Sequence, residues 1–218
     1  MQPLERLVAS DGYEVMLFPL PYMYISQGEG GSYSHAGTYN IDFLGWDASG
    51  RVYHAPIYAP CTCTCVATGV GSDNGRMFQS NRMVHTPRGL EYVSFMFFHD
   101  NNPIASVGNI FRQGDLIAHT GTAGNVTGDH THFNTANGLY AGGEYVPPDN
   151  QWQLKNSEHI YDICYVNDTV LVEDYGYSWI EYTGDVESDV KKSKFKWVLY
   201  ANKIRNTYNT WHFTCKIL

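Results

Sequence analysis

The chain has 218 residues and a mass of 24.6 kDa, enough for one domain or one domain with a small appendage, since folding units usually run to roughly 100–200 residues. Hydrophobic residues make up 43% and charged residues 17%, which excludes a disordered chain, and the 15% of aromatics, led by 17 Tyr, points to a sheet-rich globular protein. With Lys+Arg at 14 against Asp+Glu at 22, the formal charge of −8 provides no long-range attraction to nucleic acid or an anionic membrane.

The N-terminal stretch MQPLERLVASDGYEVMLFPLPYMY has an acidic residue within its first five and neither an uninterrupted apolar core nor a small-residue cleavage site. No signal peptide is expected, and synthesis in the cytoplasm is. No run approaches the ~18 apolar residues of a membrane span. Strand signals follow at Tyr13–Phe18, Tyr39–Phe43, Arg51–Tyr58, Leu90–Phe98, Leu116–Ala118 and His132–Thr135, separated by Gly, Asn, Asp and Pro clusters, and no long helical stripe appears. The Gly/Ser-rich loop Ser26–Ser34, just ahead of His35, is of the kind that rims a site on a rigid sheet. Cys61, Cys63 and Cys65 alternate, so on a strand they share a face, either as thiolate ligands or as small buried apolar residues. Pro147 and Pro148 interrupt any ladder, and a boundary is expected near residue 155. Beyond it, strand-like runs recur at Ile160–Val166, Thr169–Glu173, Tyr177–Thr183, Lys194–Tyr200 and Trp211–Cys215, with an acidic patch (Asp185, Glu187, Asp189) and a lysine cluster (Lys191, Lys192, Lys194, Lys196) between them. The expected organisation is a main unit over 1–155 and a small β-rich C-terminal extension over 156–218.

Nine histidines are many for this length. His130 and His132 flank Thr131, and residues i and i+2 of a strand share a face, so two imidazoles aim at one volume. His35 stands seven residues before Asp42. Imidazole and carboxylate suit zinc, and two His with one Asp make a sufficient protein shell for a catalytic ion that keeps one position open. Gly121, Gly124 and Gly128 form a tight looping approach that delivers His130 and His132 to the start of a strand.

In the run IAHTGTAGNVTGDHTHFN the sequence resembles the lysostaphin-like (LytM-type) zinc metalloendopeptidases of peptidoglycan, whose signature is roughly GxTGxSTGxHLHFE. The likeness extends upstream. SHAGTYNIDF resembles the family's HxGxD element with longer spacing, PIYAP its GTPVYAP stretch, EYVSFMFFHD the strand ending in a YxHL histidine, and GNIFRQGDLIAHTG its VkxGqxIGxsG segment. These matches span roughly residues 20 to 137 in order. The resemblance implies a mainly β fold, with an antiparallel sheet core of the lysostaphin/LytM type and long loops forming a groove. It implies a Zn2+ cofactor on His35, Asp42 and His132, with His99 and His130 as unligated catalytic histidines. It further implies peptidoglycan as substrate, cut in its stem peptide or cross-bridge. A compact chain of this type resembles phage lysins and tail-associated wall hydrolases, with phage tail proteins as partners and action at the bacterial wall.

The sequence departs from the pattern at several points. The His-to-Asp spacing is seven where four is usual, so the intervening loop must bulge or the Asp must lie further along its strand, with Asp47 as spare candidate. Asn134 replaces an acidic residue and Thr131 a Leu. His54, His85 and His119 read as surface or packed residues, and His159 and His212 belong to the C-terminal stretch. The spacing of seven and the pair Trp211–His212 also resemble D-alanyl-D-alanine carboxypeptidases, but Tyr208 stands where that group has a Glu. A catalytically inactive wall-binding or virion module is the third alternative.

Overall fold

The computed structural model describes residues 5–190. The lysine cluster, the runs Lys194–Tyr200 and Trp211–Cys215 and the Trp211–His212 pair lie outside the described residues.

Where a strand is expected over residues 13–18, the chain makes single bridges from Val15 to His85 and from Leu17 to Tyr165. Its amides serve separate segments: Met16 N–H donates to the His85 carbonyl, Leu17 to Pro60 and Phe18 to Tyr165. Strand β1 (Tyr22–Gln27) leads through the Gly/Ser-rich loop to β2 (Ile41–Phe43). A tight hairpin follows, β3 (Trp46–Asp47) and β4 (Gly50–Arg51), whose turn is held by Asp47 Oδ1 accepting from Ser49 N at 2.7 Å and Oγ at 2.6 Å. The run expected over 51–58 therefore splits into β4 and β5 (Pro56–Tyr58), broken where His54 takes a positive φ of 51°. Next come β6 (Cys63–Gly69), β7 (Gly75–Ser80), β8 (Val84–Thr86), β9 (Gly89–Glu91) and β10 (Val93–Phe98). They are followed by β11 (Ile110–Phe111), β12 (Leu116–His119), β13 (Thr131–Asn137), β14 (Gly143–Val146), β15 (Gln151–Leu154) and β16 (Ser157–Glu158). The paired prolines occupy the connection of the β14–β15 hairpin, where no ladder is required.

The run expected as a strand over Ile160–Val166 is instead one turn of helix, α1 (Ile160–Ile163), then β17 (Tyr165–Val166). Ile160 and Ile163 both bury completely in the main core, and a three-residue spacing puts both on one side of a helical turn but on opposite faces of a strand. Cys164 N–H closes the turn on the Ile160 carbonyl at 2.8 Å. Strands β18 (Val170–Glu173) and β19 (Ile180–Glu181) follow, and residues 186–190 are helical.

The protein is mainly β, as expected. Its large sheet runs β11-β6-β7-β10-β13-β2-β1-β18, with β16 also pairing β13. The pairings are antiparallel except β1 with β18. Residues beyond 155 enter the same sheet through β16 and β18, and the same core through Ile160, Ile163, Cys164, Val166 and Trp179.

Alternation along the central strands separates two buried faces. On one, Phe43, Phe78, Phe95, Phe97 and Phe133 pack together, with Phe97 stacked on Phe133 at 4.8 Å between ring centroids. On the other lie Met77, Met96, Phe98 and Ala136, covered by Leu154 and Trp152. Cys61, Cys63 and Cys65 are free thiols buried in the first face, the apolar alternative of the two considered from sequence. Because Phe133 has no exposed surface and fills the space between Phe43 and Phe97, Phe133→Ala is expected to lower unfolding free energy by about 3–5 kcal/mol, read by denaturant titration.

Candidate metal centre

The centre is built by strand register. In the β10–β13–β2 ladder, His132 lies directly opposite Asp42 on one side and Phe98 on the other, so all three side chains emerge on one face. His35 arrives from the loop. Residues 36–40 turn outward, with Gly37 at φ 75° and Thr38 N–H returning to the His35 carbonyl at 3.0 Å. That excursion absorbs the seven-residue spacing and lets Asp42 sit in the middle of β2. Asp47 is spent on its hairpin turn and does not join the cluster.

Three atoms that can present lone pairs converge there. His35 Nε2 is 3.2 Å from His132 Nδ1, His132 Nδ1 is 3.0 Å from Asp42 Oδ1, and His35 Nε2 is 3.3 Å from Asp42 Oδ1. Ligand atoms about 2.0–2.1 Å from a tetrahedral zinc stand about 3.3 Å apart, so the donor set fits such an ion without rearrangement. Among the described residues no other group of three His, Cys, Asp or Glu side chains converges in this way.

His35 Nδ1 lies 3.2 Å from the Gly28 carbonyl. A carbonyl only accepts, so Nδ1 carries the proton and Nε2 faces the cluster bare. Burial opposes the charge on Asp42, but its close contacts with the His132 and His35 imidazoles outweigh it and hold the carboxyl far below the usual range. Burial, against the opposing pull of Asp42, pushes the His132 imidazole down, so it stays neutral and free to ligate. Its ring stacks on Phe98 at 5.3 Å, and its Nε2 is buried with no partner among the described residues. Gln27, not singled out from the sequence, steadies Asp42: its Nε2 donates to Asp42 Oδ2 at 3.4 Å and to Ser34 Oγ at 2.8 Å.

His99 and His130 flank the cluster with ring centroids 4.7 Å apart. His130 Nδ1 donates to the Gly128 carbonyl and His99 Nδ1 to the Ala123 carbonyl, each at 2.8 Å, which leaves both Nε2 atoms bare. His130 Nε2 is 3.7 Å from Asp42 Oδ1. His99 is held at φ 80°, a region costly for a side-chain-bearing residue, and burial with the neighbouring imidazoles lowers its pKa to about 3. Gly121 sits between them. It exchanges backbone hydrogen bonds with His130 at 2.9 and 3.0 Å, and a Cβ at this position would collide with the His99 carbonyl oxygen. A glycine is therefore required to bring the two histidine-bearing segments together.

The remaining histidines among the described residues have other partners. His85 contacts Asp11 at 2.8 Å, His159 contacts Glu29 at 2.6 Å, and the His54 and His119 backbone amides donate to Asp129 and Asp100. Asp129, also not anticipated, is buried beside His130 and accepts from Thr120 Oγ1 at 2.6 Å, fixing the turn into β13. Asn134 sits on the cluster's face of β13 and accepts from Leu154 N and Ser157 Oγ, holding the segment that closes over that face. The cluster opens into a groove of about 1000 Å³ rimmed by the 26–34 loop (Ser26, Gln27, Tyr33, Ser34) and by residues 125–130.

No family model matches the chain. It is 36% identical over 171 residues to Morphogenesis protein 1 of Bacillus phage B103, an alignment covering 78% of this chain and 45% of that protein. The chain thus spans less than half the length of the curated relative it matches. Among solved structures it is similar to the catalytic domain of lysostaphin from Staphylococcus simulans, at TM-score 0.41 and 17% identity over 62% of this chain and 84% of that one. It is also similar to a zinc-containing peptidase from Vibrio cholerae, at TM-score 0.42 and 16% identity over 68% of this chain and 42% of that one.

Proposed function

We propose that the protein is a zinc-dependent endopeptidase that hydrolyses peptide bonds of bacterial peptidoglycan. The carrying observation is the convergence of His35 Nε2, Asp42 Oδ1 and His132 Nδ1 within 3.3 Å of one another on the groove floor, beside two histidines whose Nε2 atoms are bare. His35, Asp42 and His132 would hold the ion, and a zinc bound there would supply Lewis acidity towards a water molecule and the scissile carbonyl.

The protein's own residues supply the proton traffic. His99 and His130, each with a proton fixed on Nδ1 by a backbone carbonyl, offer Nε2 lone pairs to the groove. One accepts the proton of the attacking water, and the imidazolium so formed delivers that proton to the leaving amine. Burial and the neighbouring imidazoles hold His99 neutral well below pH 7, which leaves its Nε2 lone pair free and makes an imidazolium formed there a ready proton donor. Long, open groove walls suit an extended peptide, read through shape and backbone hydrogen bonds more than through a deep apolar pocket. Similarity to a phage protein named Morphogenesis protein 1 supports a role in a phage particle, where hydrolysis of this kind would act on the host wall with tail proteins as partners. No helix among the described residues is long and apolar enough to cross a membrane.

The purified chain is expected to bind about one zinc and to release free amines from purified Gram-positive walls. His132→Ala should lose most of the metal and the hydrolysis together, read by elemental analysis and amine release on one preparation. Absence of zinc from the wild type would overturn the ligand assignment. A separate variant tests the pair of unligated histidines: Gly121→Ala displaces the His99 backbone without touching a ligand, and should retain zinc while kcat falls by roughly 100-fold.

A further inference from the structure

Arg51 lies on the return strand of the hairpin that follows Asp42's strand, and it lines the same groove as His130 and His132. It is the only Arg or Lys among the described residues that does so. Its guanidinium stacks over the Tyr53 ring, with Cζ 5.2 Å from the centroid, and Nη2 donates to the carbonyl oxygen of Asp129, the residue before His130. Its Nε is buried and has no partner among the described residues. Arg6 and Arg88 are paired with glutamates, whereas no described carboxylate lies within the 4.0 Å ion-pair distance of Arg51.

The acidic groups around it are engaged elsewhere. Asp42 belongs to the His35–His132 cluster, Asp129 accepts from Thr120 and the His54 amide, and Asp149 accepts from the Ala36 amide. A guanidinium carries five N–H donors in a rigid fork, and here a ring and a backbone carbonyl fix its plane while much of the fork is unspent. A planar fork held without a counter-ion matches one ligand chemistry best, a carboxylate taken by two parallel hydrogen bonds.

We propose that Arg51 is the carboxylate-binding residue of the groove, so that the preferred substrate is a peptide with a free carboxylate close to the bond that lies over His130 and His132. This deepens the peptidase reading and rests on it for the word substrate. The carboxylate has two sources in a peptide, an acidic residue within it or its C-terminus.

Three probes separate them: the tetrapeptide Ala-Glu-Lys-Ala, the same peptide with Gln for Glu, and the same peptide with an amidated C-terminus. Affinities are measured by calorimetry at fixed ionic strength on the full chain stripped of metal, so that no cleavage intervenes. One of the two amidated forms is expected to bind about tenfold or more weakly than the parent, and that form identifies the source. In Arg51→Met the ratio should fall to about one, and in Arg51→Lys, which keeps the charge but loses the fork, it should lie between. Arg51→Met that has the wild-type circular dichroism spectrum and melting profile excludes misfolding, and Arg51→Lys gives a second reading at the same position. Equal binding of all three peptides, binding of none, or a ratio that survives in Arg51→Met overturns the assignment. Wall hydrolysis is scored in parallel on the zinc-loaded chain. Discrimination without hydrolysis overturns the peptidase reading and leaves Arg51 as a carboxylate site, while hydrolysis without discrimination does the reverse.

Discussion

The pairing register of β10, β13 and β2 is the constraint on which the candidate site depends. It sets Phe98, His132 and Asp42 in one row across three strands, and one residue further along sets Phe97 opposite Phe133. A slip of one residue would carry the phenylalanines to the opposite face and the His132–Asp42 pair into the core. Burying each phenylalanine is worth about 2–3 kcal/mol, and the cluster of Phe43, Phe78, Phe95, Phe97 and Phe133 together approaches the whole stability of an ordinary domain, about 5–15 kcal/mol. The aromatic core thus enforces the geometry of the polar cluster on the other side of the same strands.

Sequence patterns that depend on local periodicity were legible. The His130-Thr131-His132 triplet announces a shared face at a strand start, and the runs Leu90–Phe98 and His132–Thr135 announce the strands that carry it, observed over Val93–Phe98 and Thr131–Asn137. What sequence alone left open depended on where a turn closes. Asp42 and Asp47 are both acidic residues near a strand, and only the Ser49 hydrogen bonds show that Asp47 holds a hairpin. The sequence of the helical turn at Ile160–Ile163 reads as strand because apolar β-branched residues in so short a run fit either state, and burial of both isoleucines in the core favours the helix. Gln27, Arg51 and Asp129 were invisible for a different reason. Each acts across a sequence separation that no motif records, from Gln27 to Asp42, from Arg51 to Asp129 and from Asp129 to the His54 amide.

The 26–34 loop illustrates how the later part of the chain serves the site. Tyr177 Oη accepts from the Glu29 amide at 2.9 Å, and His159 holds the Glu29 carboxylate at 2.6 Å, while His35 reaches the Gly28 carbonyl one residue away. Residues beyond 155 therefore bear on the loop that carries His35, and they do so through the same aromatic stack that continues from His159 to Tyr161 and Tyr177. A loop rich in glycine has high conformational entropy to lose, and contacts of this kind supply the order that its own sequence lacks.

Histidine orientation in the site follows one rule with one exception. His35, His99 and His130 each donate from Nδ1 to a backbone carbonyl, of Gly28, Ala123 and Gly128 respectively. A backbone carbonyl that accepts from Nδ1 fixes the tautomer of each ring and leaves its Nε2 bare. In His99 the bond to the Ala123 carbonyl opposes burial and the neighbouring imidazoles, which outweigh it and leave the ring neutral at pH 7. His132 is the exception: it presents Nδ1 to the cluster and stacks its ring on Phe98, with an Nε2 that no described residue satisfies. Its orientation comes from the strand register and the aromatic face beneath it, so the same phenylalanine-lined sheet that fixes Asp42 opposite His132 also takes the place of the hydrogen bond that the other three histidines use.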